Sequence, residues 1–274
     1  MFQTIIRLDN LNIKKAFACY LFVVLIALTA FIVFNVSTVS AFAGGDGSAS
    51  NPYEIANVDQ LQDMNNDLSA HYELVGDIDA SETSSWNGGN GFIPIGSDAS
   101  PFVGSFDGGG FSVDNLYIDR SGSDYIGLFG YAENGAIENF SLDNPYVNGS
   151  SSVGSVLGKG DGDLDVRNVF VISPDVDGGS DVGGLVGKTG DLYTGDIFVR
   201  SGVVGGDVSC GGDRVGGFVG YNYISVIKRC FSSASVSGVG VVGGFAGRSY
   251  SGSKILDSYS VGDVAGNSSG DLVG

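Results

Sequence analysis

Five apolar runs in this chain share one pattern: Ile126-Gly127-Leu128-Phe129-Gly130, Val153-Gly154-Ser155-Val156-Leu157-Gly158, Val182-Gly183-Gly184-Leu185-Val186-Gly187, Val215-Gly216-Gly217-Phe218-Val219-Gly220 and Val242-Gly243-Gly244-Phe245-Ala246-Gly247. Their closing glycines are 28, 29, 33 and 27 residues apart, the mark of one supersecondary unit stacked on copies of itself. Nine or ten residues past each closing glycine comes a polar column: Asn139, Asn168, Asp196, Arg229 and Asp257. Ile137, Val166, Thr194, Ile227 and Ile255 stand two residues before it, and Ser141, Phe170, Phe198, Phe231 and Tyr259 two after. This alternation predicts a strand, and a third short run, such as Val203-Val204 or Ser235-Val236-Ser237, precedes the next motif.

Three short strands per coil of about 29 residues predict an all-β fold, a right-handed parallel β-helix or β-solenoid with rungs about 4.8 Å apart. Leu128, Val156, Leu185, Phe218 and Phe245 should form one apolar stack. The paired glycines suit corners where φ is positive or the backbone lies tight on the next rung, and the polar column suits a bend. Residues 44–125 should form an N-terminal cap and first irregular rungs, followed by the repeats over 126–274. One short helix is expected in the cap: Asn57 and Gln60 make a capping box, and Val58, Leu61, Met64 and Leu68 share a face. With the strand around Tyr72–Val75, that helix should cover the first rung.

Residues 1–43 read differently. Arg7, Lys14 and Lys15 precede an uncharged apolar run over 16–34 and then Ala41-Phe42-Ala43, the order of a secretory signal peptide. The run is also long enough to anchor an uncleaved chain in a membrane. Either way the remainder is exported to the cell surface or medium. A third reading rests on Lys15-Ala16-Phe17-Ala18, which resembles an archaeal pilin-like signal and would make the chain a surface filament subunit, although Leu21 stands where the bacterial pattern wants Glu.

Composition supports the solenoid. All 46 glycines follow residue 43, too many for long helices, and collagen is excluded by the lack of a third-residue period and by only 5 prolines. The 31 acidic against 13 basic side chains give a net charge of −18, so nucleic acid is a poor partner.

The motif Val-Gly-Gly-Leu/Phe-Val/Ala-Gly, followed by Ile-x-Asn-x-Tyr/Phe, resembles the GLUG repeat of bacterial and archaeal surface proteins. Asn51-Pro52-Tyr53-Glu54-Ile55, Pro94-Ile95-Gly96 and Phe102-Val103-Gly104-Ser105-Phe106-Asp107-Gly108 resemble the segment that usually precedes such repeats. The resemblance implies an extracellular adhesin-like or structural role and hands down no catalytic residue. Ser155 at a glycine position, Thr194 in an apolar column and Arg229 in the polar one depart from it.

Candidate chemistry is sparse. Asp161-Gly162-Asp163-Leu164-Asp165 begins like a calcium loop but has Val166 where the glycine turn belongs. Asp175 and Asp177 are further weak Ca²⁺ candidates, against solvated turn aspartates as the plainer account. Gly238–Gly243 matches a dinucleotide fingerprint without a helix to follow, and Gly187-Lys188-Thr189 lacks the upstream glycine of a phosphate loop. A β-helix polysaccharide hydrolase or lyase could use Asp161, Asp163, Asp165 and Asp196, but the acidic chain would repel an acidic sugar. Any Ser-His arrangement must use His71, the single imidazole. Cys210 and Cys230 should sit on different sides of one coil as buried thiols, with a disulfide as the alternative. Asn139, Asn148 and Asn267 begin Asn-x-Ser glycosylation patterns.

The expectation is a non-enzymatic surface solenoid that binds a carbohydrate or protein surface, with Tyr221, Tyr223 and Tyr250, which follow closing glycines, as contact candidates. Asp271-Leu272-Val273-Gly274 begins another motif, Val273 following Val242 by 31 residues. A bare last rung would favour end-to-end association, so further rungs or a partner chain should cover it.

Overall fold

The structure, a computed structural model, describes residues 41–190, 197–250, 252–266 and 272–273. Residues 1–40, with the expected signal segment, and Thr194, Asp196 and Asn267 lie outside them. Among the described residues no helix is long and apolar enough to cross a membrane.

Three parallel sheets wrap one core, and every strand pairs in register with its counterpart on the next coil. Sheet 1, the largest, runs from Tyr53–Ile55 through His71–Leu74, Ser105–Asp107, Ala136–Asp143, Asp165–Ile172, Ile197–Val199 and Val226–Lys228 to Lys254–Leu256. Sheet 2 stacks Phe129–Glu133, Leu157–Asp161, Val186–Thr189, Val219–Asn222 and Ala246–Ser249. Sheet 3 contains Tyr146–Gly154, Asp175–Gly183, Asp207–Cys210 and Ser235–Gly238 among its strands. Val242 pairs with Val273, the register expected from the sequence.

The glycine motif carries the chain from sheet 3 to sheet 2. Leu128, Val156, Leu185 and Phe218 are fully buried there, and the rings of Phe218 and Phe245 stack at 5.0 Å and 3°. The closing glycines answer close approach rather than positive φ. A Cβ on Gly158, Gly187 or Gly220 would lie 2.4 Å from the carbonyl carbon of Tyr125, Ser152 or Asp181 respectively, so a side chain would force the backbone apart. Ser155 occupies the glycine column and is buried, with its hydroxyl unpaired. An orphaned buried hydroxyl costs about 1–3 kcal/mol. Ser155→Ala should therefore stabilise the protein by about 1 kcal/mol, read as a higher midpoint in urea unfolding.

The polar column is a corner in the left-handed region, and its membership differs from the sequence alignment. Asn139 (φ 61°), Asn168 (φ 53°), Arg200 (φ 54°), Arg229 (φ 56°) and Asp257 (φ 50°) occupy it. Val166 pairs with Phe198 and Phe198 with Ile227, so Arg200 replaces Asp196 and Phe198 belongs to the inward row. The coil from Gly187 to Gly220 is four residues longer than the 29-residue coil before it; three of the extra residues precede the strand instead of following it, and the fourth falls between Cys210 and Val215. Asn tolerates this φ best, and Asn168 donates from Nδ2 to Asn139 Oδ1 at 2.9 Å, tying successive corners.

Near the N-terminus the helix spans Val58–Asp63, continued by a 3₁₀ turn Met64–Asn66, with Val58, Leu61 and Met64 buried. Gln60 N donates to Asn57 Oδ1 at 3.0 Å, and Ala56 N donates to Gln60 Oε1 at 2.7 Å, a capping box displaced by one residue. Leu68 falls beyond the helical turns, because Asp67 turns the chain by accepting from Ser69 N at 3.1 Å. The Tyr72 strand is itself a rung, paired with Tyr53–Ile55 on one side and Ser105–Asp107 on the other, rather than a cover over the ladder.

Both described cysteines are free and buried, Cys210 on sheet 3 and Cys230 beside sheet 1. Burial pushes the Cys230 thiol up to about 11 from 9.0 and raises Cys210 as well. In the unfolded chain these thiols ionise near their ordinary value, while the native state keeps its protons. Stability supplied by the neutral thiols is thus complete below about pH 9 and is lost as pH rises toward 11. Ellman's reagent at pH 8 should leave both thiols unmodified in the native protein and titrate both in denaturant.

Candidate functional site: an aromatic and cationic ribbon on sheet 2

Strand alternation turns every second side chain of sheet 2 outward. The position directly after each closing glycine forms one column through five coils: Tyr131 and Lys159, which are buried, Lys188 and Tyr221, which are half-buried, and Arg248, which is exposed. Tyr221, Tyr223 and Tyr250, the contact candidates of the sequence reading, come together on this face. Tyr221 and Tyr223 lie 5.9 Å apart, and Tyr223 stacks on Tyr250 at 5.2 Å. Tyr250 is 45% exposed.

Cations interleave these rings. The Arg214 guanidinium sits 4.5 Å from the Tyr221 ring centre, with Lys188 Nζ and the Arg248 guanidinium each at 5.9 Å. One coil group nearer the N-terminus, Lys159 Nζ lies 4.7 Å from Tyr131 and 5.7 Å from Tyr125. Such contacts hold both ring and cation in place.

Two buried carboxylates anchor the ribbon from beneath. Asp161 faces Lys159 Nζ at 3.7 Å and accepts from the Tyr131 hydroxyl at 3.1 Å. Burial, with Asp161 adding to it, pushes the Tyr131 hydroxyl up to about 12, so it stays a donor. Asp181 pairs with Arg214, which also meets Asp213 at 3.4 Å. Burial raises the Asp181 carboxyl, and the Arg214 guanidinium opposes the rise.

The calcium candidates are spread over the three sheets and the bend at Asp163. Asp161 belongs to the ribbon's support, Asp163 is exposed, and Asp165 pairs with Arg167. Asp175 lies outward on sheet 3 with Asp207 in register, and burial followed by the Asp207 and Asp177 charges raises its carboxyl. Asp177 accepts from Ser209 Oγ at 2.6 Å. Among the described residues no group of three His, Cys, Asp or Glu side chains is placed to hold a metal ion. His71 Nδ1 lies 2.6 Å from Ser105 Oγ as an in-register cross-strand pair.

Sequence alone assigned Lys159, Lys188, Arg214 and Arg248 no place beside the tyrosines. The first two and Arg248 had a usable signal, since each immediately follows a closing glycine. Arg214 had none, because its ring partner comes seven residues later and its acid 33 residues earlier.

The chain resembles known proteins in sequence and in fold. The family model described as the GLUG motif matches residues 211–237. Halomucin of Haloquadratum walsbyi is 41% identical over 137 residues, 47% of this chain and 2% of that protein. A protein of Evansella cellulosilytica described as a Gly-rich membrane protein is 35% identical over 136 residues, 48% of this chain and 15% of the relative. The chain thus spans a small fraction of the length of either relative. Among solved structures, a candidate immunoglobulin A1 protease from Bacteroides ovatus has the same fold at a TM-score of 0.54 and 18% identity, over 85% of this chain and 87% of that one.

Proposed function

We propose that this chain is a non-enzymatic cell-surface or secreted β-solenoid that adheres to carbohydrate or protein surfaces through its side faces. The observation that carries the reading is the C-terminal part of the sheet 2 ribbon, where the half-buried Lys188, Tyr221 and Tyr223 and the exposed Arg248 and Tyr250 run from coil to coil. Extended aromatic surfaces suit stacking against sugar rings or flat protein patches and need no deep pocket. The surface character of the relatives, in one case a halomucin and in the other a membrane protein, agrees with an exported scaffold. The leader over 1–43 would deliver it, either cleaved or retained as an anchor.

A glycan array probed with the exported chain, run beside a reducing-sugar assay, tests the reading. Binding without product is expected, with Tyr223→Ala plus Tyr250→Ala weakening it about tenfold or more. Turnover that disappears in Asp163→Asn would overturn the non-enzymatic assignment.

A further inference from the structure

The charge of this chain is unevenly distributed along the solenoid. Residues 44–143 contain 17 acidic side chains and one basic, whereas residues 197–256 contain two acidic and six basic. Four of those six fall on the outer side of sheet 1 and its left-handed corner. Arg200 and Arg229 occupy corner positions of adjacent coils, Lys228 pairs in register with Val199, and Lys254 with Val226.

None of Arg200, Lys228, Arg229 and Lys254 makes an ion pair among the described residues. Elsewhere on the same solenoid cations do pair: Lys159 with Asp161, Arg167 with Asp165, Arg214 with Asp181. Asp257 is the acid next in the corner column. Cations gathered on adjacent rungs repel one another, and a protein this rich in carboxylates had partners at hand for them. Beside the cluster the rings of Phe231 and Tyr259 stack on each other at 5.8 Å, giving it an apolar flank.

We propose that this corner of sheet 1 binds an acidic polysaccharide whose carboxylates or sulfates recur along the chain, laid across successive coils. The inference rests on the adhesive reading above and names a ligand class and a second face for it. Rungs about 4.8 Å apart repeat at a pitch comparable to one sugar residue, so charges carried once per sugar meet cations carried once per coil. Guanidinium forks suit carboxylate and sulfate oxygens in particular. Nucleic acid fits less well: it needs open ring faces on which bases can stack, and here Phe231 is held between Phe170 and Tyr259.

The test uses polygalacturonate as the probe, dextran as a neutral control and single-stranded DNA as a competitor. One variant combines Arg200→Asn, Lys228→Gln, Arg229→Asn and Lys254→Gln, since Asn already occupies this corner at Asn139 and Asn168 with the same φ. The parent is expected to bind polygalacturonate with an affinity that falls steeply with salt. The variant should lose tenfold or more in affinity and most of the salt dependence, at an unchanged unfolding midpoint. Asn168→Arg, which adds a cation to the column next to Arg200, should strengthen binding several-fold, a gain that misfolding cannot imitate.

Equal binding by parent and variant would overturn the inference, as would tighter binding of DNA. So would the parent forming oligomers, by light scattering without glycan, that the variant does not form, since the occupant would then be a second copy's acidic half. If dextran binds through the tyrosine ribbon and polygalacturonate does not bind, this inference falls while the adhesive reading stands. Release of reducing ends from polygalacturonate would overturn both.

Discussion

Gly187→Val is expected to abolish the native fold at 37 °C or to cost at least about 4 kcal/mol, the range of disruptions that backbone cannot absorb. The site lies where two neighbouring coils meet. A Cβ there would lie 2.4 Å from the Ser152 carbonyl carbon and from Val153 N, and 2.7 Å from Gly158 O. All three are backbone atoms held by ladders on both sides, so no rotamer change relieves the contact. Relief requires separating the coils, which breaks in-register hydrogen bonds and opens the Val156–Leu185 layer together. Gly76→Ala is the matched control: nothing lies within 4 Å of its added Cβ, and the smaller unfolded-state entropy should leave stability equal or slightly higher. Circular dichroism melts of the two variants separate a packing requirement from a general preference for glycine.

Phe218→Ala should cost about 3–5 kcal/mol, as for other large-to-small changes in a core. Phe218 is fully buried, stacks on Phe245 at 5.0 Å and meets Phe198 edge-on at 6.2 Å. Truncation removes both ring contacts and leaves a void between coils that the rigid ladders close poorly. Phe218→Leu, which repeats the residue found at Leu128 and Leu185 in the same stack, should recover more than half of the loss. Urea unfolding followed by far-ultraviolet circular dichroism gives the comparison, and equal losses for Ala and Leu would show that stacking of the rings outweighs filled volume.

The apolar stack and the coil period were legible in the sequence because each coil faces the same environment and therefore repeats the same residue types. Where a coil changed length, pattern alone misplaced the insertion. Phe198 fitted either the outward row after Asp196 or the inward row before Arg200, and only pairing with Val166 and Ile227 separates the two. The ribbon was half legible: its tyrosines stood out by type, whereas its cations became meaningful through Asp161 and Asp181, which reach Tyr131 and Arg214 from other coils. The Arg229 departure from the polar column lies on an exposed corner where any residue able to adopt that φ is accommodated.

The ladder geometry also determines how such a molecule answers force. Because the strands of each sheet pair from coil to coil, their hydrogen bonds run along the solenoid axis. Tension applied through the chain ends is concentrated on the few bonds of the terminal strand, whereas each inner interface spreads the same force over three ladders, so the solenoid peels one coil at a time. Each coil contributes about 4.8 Å to the folded length and releases about 100 Å of extended chain. A surface tether built this way lengthens under load by surrendering single coils while the remainder, with whatever it holds, stays folded.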